Sequence, residues 1–371
     1  MKIGKITLEG YFNYGNLLQN YALQQVLLKY ATKVETIWHT EDNFFPQSYW
    51  KWTWKQPIKY LINWKNFRTD FFSGSIGLEM VRQGKIRDWA DRYIHFRKDV
   101  KELRNIVEEY DYFITGSDQV WNPYFNDDKY LKENFLMFAP LEKRISYAAS
   151  ISAPSIPKNE ISIYKEGLSG MHSLSLREQA GADLVKEISN RDAEVHVDPT
   201  LLLTPEEWDE VNRVPAWYHG GKYILTYFLG KRPNATIQKV AEEAGLPLVN
   251  LLDENIYEHY VTGVDEFLWA IKNASLMYTD SFHGTVFSIL YKTPFVVCNR
   301  LESNVTEKMG SRIDTLLKLF ELEDRRGTKE NSYTIPMPLD SPHWSNVDRV
   351  LEKERKRSTD YFNRIFNTNM K

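Results

Sequence analysis

The residues best suited to chemistry cluster in one stretch, MYTDSFHGTVFSILYKTPFVVCNR (277–300). An apolar run ends at Thr279, a polar turn follows, and a helix is predicted to start near His283. Asp280 and Ser281 are residue types that cap helix starts. Gly284 lets a ligand approach the backbone, and Thr285 adds a hydroxyl. A helix start at the carboxyl edge of a parallel sheet offers unpaired N–H groups and the positive end of a dipole, which suits a phosphate. His283 in that turn can serve as a general acid or as a phosphate partner. The plainer alternative is a capping turn with a locally packed histidine, and short motifs match by chance often enough to keep both open.

Three further turns have similar character. In FITGSDQVWNP (113–123) a strand runs into Gly116, Ser117 and Asp118. The glycine permits a tight turn, and Asp118 can take a proton from a hydroxyl nucleophile or simply cap a helix. In GYFNYGNLLQNYAL (10–23) Gly15 and Asn16 can bring amide donors to a ligand, or Asn16 can cap an ordinary strand–helix turn. In SLSLREQAGADLV (173–185) Arg177 offers a planar fork to a carboxylate or phosphate, or an ion pair to Glu178 or another neighbour. Arg300, after the strand that follows the His283 helix, carries the same two readings.

The elements that must position these turns alternate. KIGKITL (2–8), KVETIW (33–38), YDYFITG (110–116), RISYAAS (144–150) and SLSLRE (173–178) read as strands, with helices expected near 16–30 and 158–170. After the turn-rich PAWYHGGK (215–222) the alternation restarts with KYILTYFLG, ATIQKVAEEAG, LPLVNL, VDEFLWAIKNA, SLMYTD, HGTVFSILYK and TPFVVCN. The expectation is therefore α/β, with two Rossmann-like doubly wound domains facing across a cleft. The predicted division is 1–215, carrying an insertion at about 44–95, then 216–344, then a charged helix from 345 to the end that packs back across the interface.

Composition removes several function classes. Lys and Arg number 47 against 50 Asp and Glu, so the net charge of −3 speaks against electrostatic capture of nucleic acid. The single cysteine, Cys298, excludes an internal disulfide and a cysteine-built metal site, and fits a reducing, cytoplasmic compartment. No signal peptide or spanning run is evident. The chain lacks GxGxxG after its first strand, GxxxxGK[ST], GxSxG, HExxH and Asp-x-Asp, so the familiar nucleotide, hydrolase and metal signatures are missing.

One segment stands out by composition. YWKWTWKQPIKYLINWKNFR (49–68) interleaves Trp50, Trp52, Trp54 and Trp64 with five basic residues and no acid. Such interleaving suits a membrane surface, a sugar platform or single-stranded nucleic acid; the alternative is a helical insertion with packed aromatics and solvated lysines.

FNYGN, TGSDQVWNP, SYAAS, SLREQAGADLV, VDPTLLLTPEEW and TDSFHGTVFSILYKTPFVV occur in one order from about residue 3 to about residue 320. Together they resemble the polysaccharide pyruvyl transferase family. The resemblance implies a GT-B-like fold and transfer of a pyruvyl group from phosphoenolpyruvate to two hydroxyls of a sugar, closing a cyclic ketal, with no metal or organic cofactor. It assigns His283 to protonation of the donor methylene. The Ser281–Thr285 turn would then hold phosphate, Arg177 or Arg300 the carboxylate, and Asp118 would be the base. The acceptor would be a sugar or polysaccharide, in some cases lipid-linked, with residues 49–68 as a peripheral membrane contact. Two alternatives keep a similar architecture or surface: a nucleotide-sugar glycosyltransferase, and a non-enzymatic subunit of a polysaccharide assembly complex.

Overall fold

Short apolar runs of four or five residues, buried on both faces, form the framework, as a parallel sheet covered by helices requires. The computed structural model describes residues 1–11, 13–38, 75–124, 127–300 and 311–366. Its strands are Lys2–Ile6 (β1), Lys33–Ile37 (β2), Phe96–Arg97 (β3), Tyr112–Thr115 (β4), Arg144–Ser146 (β5), Ser175–Leu176 (β6), Glu194–Val195 (β7), Ile224–Tyr227 (β8), Leu248–Leu251 (β9), Leu276–Thr279 (β10), Phe295–Cys298 (β11) and Arg326–Gly327 (β12). The principal helices are Tyr14–Leu27 (α1), Ser75–Tyr93 (α2), Ile161–Ser169 (α3), Gln179–Ser189 (α4), Asn234–Ala244 (α5), Val264–Asn273 (α6), Phe282–Leu290 (α7), Ser311–Phe320 (α8) and Ser345–Phe366 (α9).

One parallel sheet has the order β3-β2-β1-β4-β5 and another the order β12-β11-β10-β8-β9, while β6 and β7 form a small parallel pair. In the first sheet the strand order reverses between β1 and β4; in the second it reverses between β8 and β10. Ligands of open α/β sheets settle at such reversal points, beyond the carboxyl ends of the strands. The turns after β1, β4 and β10, read from the sequence as chemically loaded, all lie at these two places. The architecture is the expected GT-B-like pair of Rossmann-type units.

Helix α1 lies where the two units meet. Its apolar stripe covers the first sheet, yet Gln19, Asn20 and Gln24 on its polar side are buried too. That polar side faces the first unit itself, while the second unit meets Tyr14, which stacks on Phe267 at 4.6 Å and donates its hydroxyl to the Thr262 carbonyl at 2.6 Å. The buried polar side chains stay bonded, as burial demands. Lys5 donates to the Asn20 carbonyl at 2.6 Å, and Thr36 donates to Asn20 Oδ1 at 2.8 Å. Burial pulls the Lys5 ammonium well below its ordinary range.

Helix α9 crosses back as expected. Its Tyr361 hydroxyl donates to the Ser146 carbonyl at 2.7 Å, Phe362 lies 4.8 Å from Tyr147, and Phe366 lies 5.3 Å from Tyr30. The strand expected over 173–178 is only two residues long: it pairs with the equally short β7, and on its other side Ser173 and Leu176 meet Ile145 and Ala149 as isolated bridges. Helix α2 falls within the expected insertion and bridges the units through Lys85 and Glu266 at 3.1 Å. The Trp- and Lys-rich segment at 49–68 lies outside the described residues. Among the described residues, no helix is long and apolar enough to cross a membrane.

Candidate active site

The chain turns sharply as it leaves β4. Gly116 adopts φ 120°, and a side chain there would lie 2.2 Å from the Tyr147 carbonyl oxygen, so only glycine fits. Asp118 is also left-handed, at φ 63°. The turn is pinned by α1: Gln19 accepts the Ser117 N–H at 3.0 Å and donates to Thr7 Oγ1 at 2.9 Å, tying the ends of β1 and β4 together.

This turn delivers Ser117 to a fully buried carboxylate, Asp198. Ser117 Oγ donates to Asp198 Oδ2 at 2.9 Å, and Arg177, following β6, donates to the same oxygen at 2.6 Å. The other oxygen caps the turn at Pro199–Leu201, accepting from the Thr200 N–H at 3.0 Å and its hydroxyl at 2.7 Å. Burial alone would favour the protonated acid, but His283, Arg177 and Thr200 outweigh it and hold Asp198 well below the usual carboxylate range. Burial likewise opposes the Arg177 charge, and Asp198 with Asp118 restores it, leaving the guanidinium more basic than usual.

His283 approaches Asp198 from the second unit. Its Nε2 lies 3.6 Å from Asp198 Oδ2, and the residue is only 7% exposed. The opposite edge of the ring rests on Gly15: a side-chain carbon at that position would fall 2.0 Å from His283 Nδ1. The imidazole is thus clamped between a carboxylate held by the first unit and the bare backbone of α1.

Asp118 points toward the same place, with Oδ1 3.5 Å from Arg177 Nη2 and 3.9 Å from Arg312 Nη1. Phe282 provides the floor: the Arg177 guanidinium carbon lies 4.6 Å from its ring centroid and that of Arg312 lies 5.5 Å away. A cavity of about 250 Å³ opens beside these groups, bordered by Arg177, Asp198, Phe282, Arg312, His196 and Leu316. Its size and mixed polar and apolar lining suit a small anionic molecule better than a drug-sized one.

Of the residues singled out in the sequence, the structure brings together Ser117, Asp118, Arg177 and His283, with Gly15 as the seat of the ring. Others support the scaffold. Arg177 pairs with Asp198 rather than with Glu178, whose Oε1 instead accepts from the Ile151 and Ser152 N–H groups at 2.9 and 3.0 Å. Asn13, not Asn16, caps α1, and its side chain takes the Gly15 N–H at 2.9 Å, so that donor is not free for a ligand. Asn16 is buried inside the helix and turns toward the Gly10 carbonyl at 3.4 Å. Ser281 caps α7 by accepting the Gly284 N–H at 3.2 Å, and the Thr285 hydroxyl donates to the Ser281 carbonyl at 3.0 Å. Both hydroxyls are therefore engaged in the turn itself, and Gly284 admits the close approach of Thr279 rather than of a ligand. Arg300 donates to Asp280 at 3.3 Å, and Asp280 also accepts the Leu229 and Gly230 N–H groups at 2.8 Å each, joining the ends of β8 and β10.

Three contributors escaped the sequence reading. Asp198 stood inside VDPT, where an acid before proline after a strand reads as a cap, and it is one; nothing local announces its second role. Glu178 looked like a partner for its neighbour. Arg312 lies at the start of an ordinary amphipathic helix without any motif, and only packing shows that its side chain turns inward.

Among curated proteins, none matches the chain. Solved structures with a similar overall course include a UDP-GlcNAc 2-epimerase from Neisseria meningitidis (10% identity, 96% of this chain and 100% of that one, TM-score 0.43). The glycotransferase of kitacinnamycin gives 13% identity, 98% of each chain and a TM-score of 0.43. MurG of Acinetobacter baumannii gives 9% identity, 96% and 94% coverage and a TM-score of 0.39. Such distant likeness says nothing about chemistry. The family model for polysaccharide pyruvyl transferase, by contrast, matches residues 13–302, which takes in β2 through β11 and every side chain of the cluster around Asp198 except Arg312. The chain belongs to the polysaccharide pyruvyl transferase family.

Proposed function

We propose that the protein transfers a pyruvyl group from phosphoenolpyruvate to two hydroxyls of a sugar, in a cell-surface polysaccharide or its precursor, to form a cyclic ketal. The observation that carries this reading is His283, fixed between Asp198 and Gly15 at the junction of the two units and beside the buried guanidinium of Arg177.

Phosphoenolpyruvate needs three things from a site: cations for its phosphate and carboxylate, an acid for its methylene, and a base for the attacking hydroxyl. In this reading His283 gives its proton to the methylene carbon, making it a methyl group and leaving the adjacent carbon electron-poor. Asp198 orients the ring for that transfer, much as a buried carboxylate orients a catalytic histidine elsewhere. A sugar hydroxyl then bonds to the electron-poor carbon and loses its proton to Asp118. The carbon–oxygen bond to phosphate breaks, inorganic phosphate departs, and a second hydroxyl bonds to the same carbon, giving its proton back to His283 and closing the ketal. Arg177 balances the anionic donor throughout. A cytoplasmic location, with peripheral membrane contact through residues 49–68, completes the reading.

The experiment is phosphate release from phosphoenolpyruvate with galactoside or N-acetylhexosamine acceptors, together with calorimetric titration of phosphoenolpyruvate and of a uridine diphosphate sugar. Turnover that falls by ~10²-fold or more in His283→Ala is expected, the scale of a lost general acid. Tight binding of the nucleotide sugar, with indifference to phosphoenolpyruvate, would establish a glycosyltransferase instead.

A further inference from the structure

Arg312 borders the cavity without a close counter-ion among the described residues. The residue comes from α8, after the second sheet's β11, and its Nε is buried without a hydrogen-bond partner. Its Nη1 and Nη2 reach Gln119 at 3.3 and 3.1 Å when that amide turns its oxygen toward them. Gln119 is neutral, and among the described residues the nearest carboxylate oxygen, on Asp118, stands 3.9 Å away. Arg177 contrasts with it on one side only: it has Asp198 at 2.6 Å, yet its own Nε and Nη2 are also buried without hydrogen-bond partners. Two guanidiniums therefore converge over the face of Phe282, each with unused donors, at the edge of a cavity of about 250 Å³.

An unpaired buried donor is destabilising, and a buried charge without a close counter-ion more so. Burial, with the like charge of Arg177, pulls Arg312 down to about 10. Such an arrangement persists when a ligand supplies the missing anion.

We propose that Arg312 joins Arg177 as the second guanidinium of an anion seat over Phe282, which binds the phosphate or the carboxylate of the three-carbon donor. The inference rests on the donor reading above and adds to it a residue outside the segment matched by the family. It also relocates the anion from the Ser281–Thr285 turn, whose hydroxyls are already bonded, to the two guanidiniums over the Phe282 ring. Asp118 and Glu178 are the acids that face Arg312, and Arg300 the further cation. The seat thus sits beside the group assigned as base.

The test compares the full-length chain with Arg312→Gln and Arg312→Lys. Phosphoenolpyruvate, inorganic phosphate and pyruvate are titrated separately, and thermal midpoints are recorded without ligand. In Arg312→Gln the affinity for phosphoenolpyruvate should fall by roughly 10-fold or more, the scale of a lost charge-assisted hydrogen bond, with Arg312→Lys recovering part of it. The unliganded midpoint should not fall, because the native guanidinium is poorly balanced. Loss of phosphate affinity alone identifies a phosphate seat, and loss of pyruvate affinity alone a carboxylate seat; either supports the proposal. If the wild type ignores phosphoenolpyruvate yet binds phosphate through Arg312, the seat stands and the donor reading falls. Affinities within twofold of wild type in Arg312→Gln, a large drop in its unliganded midpoint, or a wild type that binds none of the three anions would overturn the proposal.

Discussion

Asp198 Oδ2 accepts from Arg177 at 2.6 Å and faces His283 Nε2 at 3.6 Å, so one buried oxygen joins a cation of the first unit to an imidazole of the second. Removing that charge should do two separable things. In Asp198→Asn the buried Arg177 loses its close counter-ion, and breaking such a pair costs about 3–5 kcal/mol, read as a lower denaturation midpoint. Phosphate release should fall as well, beyond what the destabilisation explains, when assayed well below the new midpoint.

Gly15→Ala separates packing from folding. Alanine is the better helix former by about 1 kcal/mol. Its methyl carbon, however, would require a place 2.0 Å from His283 Nδ1. The ring must move or the units must part. The expected outcome is a large fall in kcat with the chain still folded, checked by circular dichroism alongside the assay; unchanged turnover would show that the ring's seat is not needed.

Asp198 also sets an acid limit. Its folded-state affinity for protons is depressed, so it contributes stability that is fully present above the ordinary aspartate range near 3.8 and is lost as pH falls toward its much lower folded value. Denaturation midpoints measured from pH 6 downward should therefore decline less steeply for Asp198→Asn than for the wild type. Parallel curves would mean that this carboxylate does not govern the acid limb.

Phe362→Ala probes the returning helix. The ring is fully buried, 4.8 Å from Tyr147 and 5.9 Å from Phe366. A cavity of that kind costs about 3–5 kcal/mol. Urea titration followed by tryptophan fluorescence should show the loss, and a shift under 1 kcal/mol would mean that the helix contributes little to the first unit's core.

Much of the framework could be read from pattern alone. The apolar runs ending at Thr115 and Thr279, the helices starting at Tyr14 and Phe282, and the long helix at 345–366 all announce themselves by period and by turn residues. So did His283, Asp118 and Arg177, because each follows a strand. What could not be read depends on what comes from elsewhere in the chain. The polar side of α1 looks solvent-facing until Lys5 and Thr36 of the first sheet bond Asn20. Asp198 has the local appearance of a cap, and its role arises only when Arg177, Ser117 and His283 arrive from three other segments. Ser281 and Thr285 illustrate the reverse: their types suit a ligand, but the turn uses their hydroxyls first.

The contacts of Tyr361, Phe362 and Phe366 with Ser146, Tyr147 and Tyr30 have a consequence for biogenesis. A hydrophobic wall begun at Tyr30 and Tyr147 is finished by Phe362 and Phe366, far along the chain. Until α9 docks, Tyr147 and Tyr30 lie uncovered, while the core that runs from Ile6 to Val185 is supplied by the first unit alone. Closure of that wall is therefore a late step in the folding of the first unit.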